Sequence, residues 1–134
     1  MIVDSSALVA VAFEEPGHEA LIAALQRADW AAMGAPTAAE TGIVIMRRFG
    51  SQRHWVAKRL IEKLNVRIRP FDERHLAEAL LAHERFGRGR HAAQLNFGDC
   101  LCYATAKLAS APLLCVGDDF AKTDLDIVRL NDQT

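Results

Sequence analysis

Short apolar runs alternate with longer stretches of helical periodicity along this chain, and that alternation narrows its fold more than any other feature. The runs are Met1–Asp4, Ala31–Ala35, Val66–Pro70, Leu113–Val116 and Ile127–Leu130. Between them lie Ala7–Phe13, His18–Arg27, Thr37–Phe49, Gln52–Leu64, Glu73–Phe86 and a helix from Gly98-Asp99 to about Ala109. Parallel strands need a crossover between them, and a helix is the usual one. The expectation is therefore an α/β fold: three layers, α/β/α, around a central, mostly parallel sheet of four to five short strands. Residues 1–134 are read as a single domain, because a chain of this length supports one hydrophobic core.

Local signals set the element ends. Ser5 or Ser6 offers a cap for the first helix. Pro16-Gly17 breaks that helix, and Pro16 suits the first turn of the next, where Ala20, Leu21, Ala24 and Leu25 recur at helical spacing. Pro36-Thr37 starts the third helix and Gly50 stops it. Ser51 is placed to cap the fourth, with Trp55, Leu60, Ile61 and Leu64 on its apolar side. Val66 and Ile68 alternate with Arg67 and Arg69, the pattern of a strand with one face toward water. Asp72 caps the next helix, which gives way to a flexible basic loop, Gly87-Arg88-Gly89-Arg90-His91.

The acids are the chemical signal. Asp4 ends the first apolar run, Glu40 lies within an apolar helical stretch, Asp99 opens another, and Asp118-Asp119 follows the run 113–116. Carboxylates at the ends of apolar elements are costly unless something positive joins them. Mg²⁺ or Mn²⁺ fits, since hard cations take oxygen ligands, and such clusters equip phosphodiester-cutting enzymes. In an open parallel sheet the ligand site lies outside the carboxyl ends of the strands, where Asp4 and Asp118-Asp119 can share one rim. Each acid also has a plainer role: Asp4 as a turn residue, Asp99 and Asp118 as helix caps, Glu40 as a capping-box partner of Thr37.

Charge is distributed unevenly. Residues 47–90 hold 12 of the 16 Lys and Arg but only 5 of the 17 Asp and Glu, so that segment is net +7 and the remainder net −8. Solvated helix faces account for part of this. A basic wall beside an acidic pocket would also attract a phosphate backbone that the carboxylates alone repel. No serine is paired with a histidine at a recognisable spacing. The five histidines show no zinc-ligand pattern, and Cys100, Cys102 and Cys115 form no Cys-x-x-Cys pair. The cysteines read as reduced core thiols of a cytoplasmic protein. No stretch approaches the ~20 apolar residues of a membrane span, and Met1-Ile2-Val3-Asp4 lacks the basic start of a signal peptide.

Four blocks then combine. They are Met1–Ala7 with its Asp-Ser-Ser, Ala35-Pro36-Thr37-Ala38-Ala39-Glu40, the basic loop followed by Leu95-Asn96-Phe97-Gly98-Asp99-Cys100 and Tyr103-Ala104, and Leu113–Phe120 with Thr123-Asp124-Leu125. In order and spacing they resemble the PIN-domain ribonucleases, and more closely the VapC toxins of type II toxin–antitoxin pairs. The resemblance runs nearly end to end.

It implies a PIN-like fold and a metal-dependent endoribonuclease. Asp4 and Asp99 become the principal metal ligands, Glu40 the third acid, and Asp118 or Asp119 the fourth. Asp119 directly precedes Phe120 as in many relatives, while Asp118 looks the better helix cap. Ser6 is similar to the hydroxyl that helps hold the cluster, and Asn96 is a candidate partner for Asp4 or its loop. Arg47, Arg48, Arg53, Arg88 and Arg90 are the candidates for RNA phosphate contacts. The resemblance further implies a structured RNA substrate such as tRNA or ribosomal RNA, a VapB-type antitoxin and a homodimer. Helices His18–Arg27 and Thr37–Leu64 are candidate partner surfaces. Two other readings compete: a non-catalytic PIN-like RNA-binding domain, and a Mg²⁺-dependent phosphotransfer domain of receiver or phosphatase type.

Overall fold

The computed structural model describes residues 1–130. Its elements run β1 (Ile2–Val3), α1 (Ser5–Ala12), α2 (His18–Arg27), β2 (Ala31–Gly34), α3 (Ala35–Phe49), α4 (Trp55–Lys63), β3 (Val66–Arg69), α5 (Glu73–Phe86), α6 (Phe97–Ala109) and β4 (Leu113–Leu114). Single 3₁₀ turns occupy Ser51–Arg53 and Phe120–Lys122.

The four strands form one parallel sheet in the order β3-β2-β1-β4. Period-two alternation sends neighbouring side chains to opposite faces. Ile2, Ala32 and Leu113 pack with α5 and α6 around Phe86, Leu95, Cys102 and Tyr103. Val3, Ala31, Met33 and Leu114 pack with α1, α2 and α4 around Leu8, Leu21, Leu25 and Ile61. These are the expected three layers. The many alanines (Ala79 and Ala82 on α5, Ala104 and Ala106 on α6) let the helices sit close to the sheet and to each other. Helix α3 bridges the layers, packing against α1 and α4 on one side and α6 on the other.

Several boundaries differ from expectation, each for a local reason. The first helix starts at Ser5, not Ala7, because Asp4 is its cap: the Asp4 carboxylate accepts from Ser6 N at 3.1 Å. Neither Ser5 nor Ser6 caps it. Pro16 lies in the turn before α2, whose cap is Gly17 at φ 92°. Ala35 belongs to α3 rather than to β2, so Glu40 stands in the second turn, too far along to complete a capping box. Ser51 sits in a 3₁₀ turn, and α4 begins later, at Trp55, whose ring is exposed. In β3 only Val66 is buried; Ile68 is exposed. The fifth strand reduces to a single parallel bridge between Ile127 and Leu113. The basic loop is pinned at its base by Arg88 N donating to Leu95 O (3.1 Å) and Leu95 N donating to Phe86 O (2.9 Å).

The basic segment forms the end of α3, α4, edge strand β3 and α5, while Asp4, Asp118 and Asp119 follow β1 and β4; Arg85 of α5 pairs with Asp124 at 3.5 Å. Among the described residues no helix is long and apolar enough to cross a membrane.

Candidate active site

Strand order reverses direction between β1 and β4, and that crevice is where an open α/β sheet binds ligands. Asp4 stands at the carboxyl end of β1. Its backbone N–H donates to Leu114 O at 2.9 Å, and it is 5% exposed. The rim beside it is stitched by Ser6, whose hydroxyl accepts from Val116 N at 2.9 Å across the crevice. Ser6 thus joins the two strand ends and holds the frame of the acids rather than an acid itself.

Helix α6 brings the second acid. Asn96 caps it, accepting from Asp99 N at 2.9 Å, and the Asp99 carboxylate accepts from Asn96 N at 3.1 Å. This reciprocal capping box orients the first turn. Asn96 therefore binds Asp99, not Asp4, and the cap of α6 is Asn96 rather than Asp99. From α3 comes Glu40, which accepts from the Ser5 hydroxyl at 2.7 Å. It lies against the bare Cα of Gly98, where any side chain would collide with its carboxylate. Sequence reasoning singled out Ser6 and missed Ser5 and Gly98. The signals were present in the Ser-Ser pair and in a glycine directly before the acid.

Asp119, not Asp118, occupies the cap position of the 3₁₀ turn Phe120–Lys122, though its side chain makes no capping hydrogen bond. Buried Phe120 anchors this turn, and Asp124 ties its far end to α6: Tyr103 Oη donates to Asp124 at 2.6 Å and Lys107 Nζ at 2.8 Å.

The acids feel one another. Burial pushes the Asp99 carboxyl up to about 6; the hydrogen bond from Asn96 opposes this, and the charges of Asp4, Asp119 and Glu40 add to it. The charges of Asp118 and Asp119 both bear on Cys115. Burial and then Asp4 also raise the Cys102 thiol, and burial followed by Asp4, Asp99, Asp118 and Asp119 pushes Cys115 up to about 12. Both stay protonated at neutral pH and carry no nucleophilic chemistry.

Two observations bear on a metal and pull apart. Among the described residues, no three His, Cys, Asp or Glu side chains stand close enough to hold an ion as they are. Yet Asp99 is raised first by burial and further by the charges of Asp4, Asp119 and Glu40. Asp4 follows β1 and Asp119 lies beyond β4, while Glu40 and Asp99 ride on α3 and α6. An all-oxygen, anionic donor set suits a hard divalent cation.

The predicted arginines divide. Glu40, Ile43, Val44 and Arg47 form one stripe of α3 that lines a groove of about 660 Å³ beside the acids. Arg48 points elsewhere, its guanidinium 3.8 Å from the centre of the Phe13 ring. Arg53, Arg88 and Arg90 are exposed. Of the candidate partner surfaces, the apolar side of α2 is spent on the core, while α3 presents Ile43 to solvent.

Comparison with known proteins shows the family. The PIN domain family model matches residues 1–125. Ribonuclease VapC36 of Mycobacterium tuberculosis is 46% identical over 127 residues, covering 94% of this chain and 91% of that protein. Ribonuclease VapC of Mycolicibacterium smegmatis is 38% identical, covering 96% and 100%. Among solved structures, M. tuberculosis VapC20, described as a sarcin-ricin loop cleaving toxin, superposes with a TM-score of 0.77 at 16% identity, over 96% of this chain and 98% of that one. A toxin–antitoxin complex from Klebsiella pneumoniae gives 0.68 at 18% identity, with 95% of each chain covered. The receiver form of the phosphotransfer reading is set aside on topology as well: in a flavodoxin-like receiver β1 lies between β2 and β3, whereas here it lies between β2 and β4. The chain belongs to the PIN-domain family and, within it, to the VapC ribonucleases.

Proposed function

We propose that this protein is a divalent-metal-dependent endoribonuclease, the toxin of a type II toxin–antitoxin pair, working through Asp4, Glu40, Asp99 and Asp119. The PIN-family match over residues 1–125, with Asp4 buried at the end of β1 and Asp99 held in the first turn of α6 by its capping box, is the observation that carries this reading. Asp119 is preferred to Asp118 as the fourth acid because its charge reaches Asp99. Mg²⁺ or Mn²⁺ fits the oxygen donors, and when bound it supplies Lewis-acid stabilisation of phosphoryl charge and makes water a competent nucleophile at neutral pH.

The remaining work falls to the chain. Asp4 and Asp99 present oxygens from a rigid strand end and a capped helix turn. Ser5 orients Glu40 by its hydroxyl, and Ser6 locks β1 to the end of β4. Arg47 from the groove, with Arg53, Arg88 and Arg90 from exposed segments, draws the RNA backbone toward an acid site that would otherwise repel it. A structured RNA, tRNA or ribosomal RNA, is the substrate class this reading favours. A VapB-type antitoxin restrains the toxin in the cytoplasm, and exposed Leu76, Leu80 and Leu81 on α5 offer apolar surface for a homodimer.

Purified protein is incubated with total cellular RNA in Mg²⁺ or Mn²⁺, with and without EDTA, beside Asp99→Asn. Discrete fragments that vanish with EDTA and with Asp99→Asn are expected. Cutting that survives both treatments overturns the carboxylate–metal mechanism.

A further inference from the structure

Asp119 stands at the start of the 3₁₀ turn Phe120–Lys122, and its side chain makes no capping hydrogen bond. It belongs to an exposed bend, residues 117–119, that runs from Val116 to the buried ring of Phe120, with Gly117 at φ 95°. Beyond the turn the chain is drawn tight. Thr123 Oγ1 donates to Phe120 O at 2.6 Å and accepts from Leu125 N at 3.2 Å. Asp124, between them, uses both carboxylate oxygens: Oδ1 accepts from Tyr103 Oη at 2.6 Å, and Oδ2 accepts from Lys107 Nζ at 2.8 Å with Arg85 at 3.5 Å. A hydroxyl and two cations satisfy this acid, so it is committed to the clamp and not free for a metal. Asp99, Tyr103 and Lys107 recur every fourth residue along α6 and share one ridge of it. The helix that presents Asp99 therefore grips Asp124 one and two turns further on. Tyr103 is 1% exposed and its ring lies 5.7 Å from that of Phe86, so packing fixes the hydroxyl.

We infer that Asp124, gripped by Tyr103 and Lys107, is a positioning residue that holds Asp119 in register with Asp99 and so sets how tightly the site binds a divalent cation; the inference rests on the ribonuclease reading above. Asp4 is fixed as the cap at a strand end, and Asp99 by its capping box. Asp119 has no such hold of its own, and the path of its bend is set by the anchors on either side. The upstream anchor, Val116 on the Ser6 hydroxyl, ties the bend to α1. The downstream anchor, Asp124, ties it to α6, the element that carries Asp99. The hydroxyl contact is short and charge-assisted, the strong kind of hydrogen bond. The half-exposed Arg85 pair is longer and screened by solvent, and it adds least. Removing the Tyr103 hydroxyl therefore reaches Asp119 through Phe120–Asp124 without altering any acid of the site.

The test titrates the full chain with Mn²⁺ alone, followed by electron paramagnetic resonance, and takes RNA cleavage as a second readout. Tyr103→Phe, Asp124→Ala, Asp119→Asn and the Tyr103→Phe/Asp119→Asn double variant are set beside the wild type. Tyr103→Phe keeps its ring against Phe86 and is expected to weaken Mn²⁺ binding about 10-fold, the scale of losing outer support for a metal site. Its kcat should fall while KM for RNA is little changed. Asp124→Ala releases all three partners and should lose at least as much. In the Asp119→Asn background the hydroxyl should no longer matter, because the group it acts through is gone. Ile61→Val, a truncation in the core on the other face of the sheet, is the control: it should lower the melting temperature and leave Mn²⁺ affinity as in the wild type. Tyr103→Phe that melts lower yet binds Mn²⁺ normally, or that loses the same factor with and without Asp119, overturns the proposal and leaves the clamp a purely structural contact. If Asp124→Ala does not fold, the comparison of Tyr103→Phe in the two backgrounds decides by itself. Wild type that binds Mn²⁺ but leaves RNA intact fails the ribonuclease reading, and the Mn²⁺ titrations still decide the clamp. Wild type that binds no Mn²⁺ fails both.

Discussion

Asp99 carries a carboxyl raised from its ordinary 3.8 to about 6 by burial and by three neighbouring acids. Because its pKa is higher in the fold than in the unfolded chain, folding takes up a proton between those two values. The associated stability is complete below about pH 4 and is lost as pH rises through about 6. Metal-free protein should therefore melt at a higher temperature near pH 5 than near pH 7, and Asp99→Asn should remove most of that difference by calorimetry. A variant with the same pH slope as the wild type would place the titration elsewhere. With metal present a bound cation holds Asp99 charged below its metal-free value, so cleavage should persist at about pH 6 and decline only at lower pH. The identities of these acids were readable from the chain, since a carboxylate ending an apolar run needs an explanation. Which of two adjacent aspartates faces the others was not, because a turn of a few residues decides it.

At the scale of elements, the site depends on how closely α6 approaches α3. Gly98 permits that approach, with the Glu40 carboxylate resting against its Cα. Gly98→Ala should improve helix propensity by about 1 kcal/mol, while its methyl group pushes aside only the flexible end of Glu40. The expected result is an unchanged or higher melting temperature together with a cleavage rate lower by about 10- to 100-fold, the scale of a misplaced catalytic group. A matched fall in both would instead mean that the helix itself had shifted. Element types were legible from periodicity and from Gly and Pro punctuation. Caps were less so: Asp-Ser-Ser, Asn-Phe-Gly-Asp and Asp-Asp each offer several capping residues, and the winner depends on where the preceding strand ends.

For the molecule as a whole, the charge bias along the chain leaves Arg47, Arg53, Arg88 and Arg90 exposed to solvent. RNA binding should therefore weaken steeply with salt. Each arginine among Arg47, Arg53, Arg88 and Arg90 that meets a phosphate should, when changed to Gln, flatten the slope of log K against log salt by about 0.7 to 0.9. An unchanged slope removes that residue from the interface. Arg48 is expected to differ from the others, because its guanidinium packs on Phe13. Its substitution should cost stability before it costs RNA affinity, read by urea denaturation beside the binding isotherm.

Composition and local pattern by themselves determined that this chain makes a three-layer α/β domain with carboxylates at successive element ends, because helix and strand periods and the cost of burying charge are properties of short segments. Only the tertiary structure decided the rest. It set Ser5 on Glu40, Asn96 on Asp99 and Ser6 across to Val116, and it left Phe97 in solvent beside the acids. The Ser5 and Ser6 contacts join residues 35 and 110 positions apart, and the exposure of Phe97 depends on where α3 stops covering α6. Distances of that kind are set by the packing of helices on a sheet, which no local window of sequence contains.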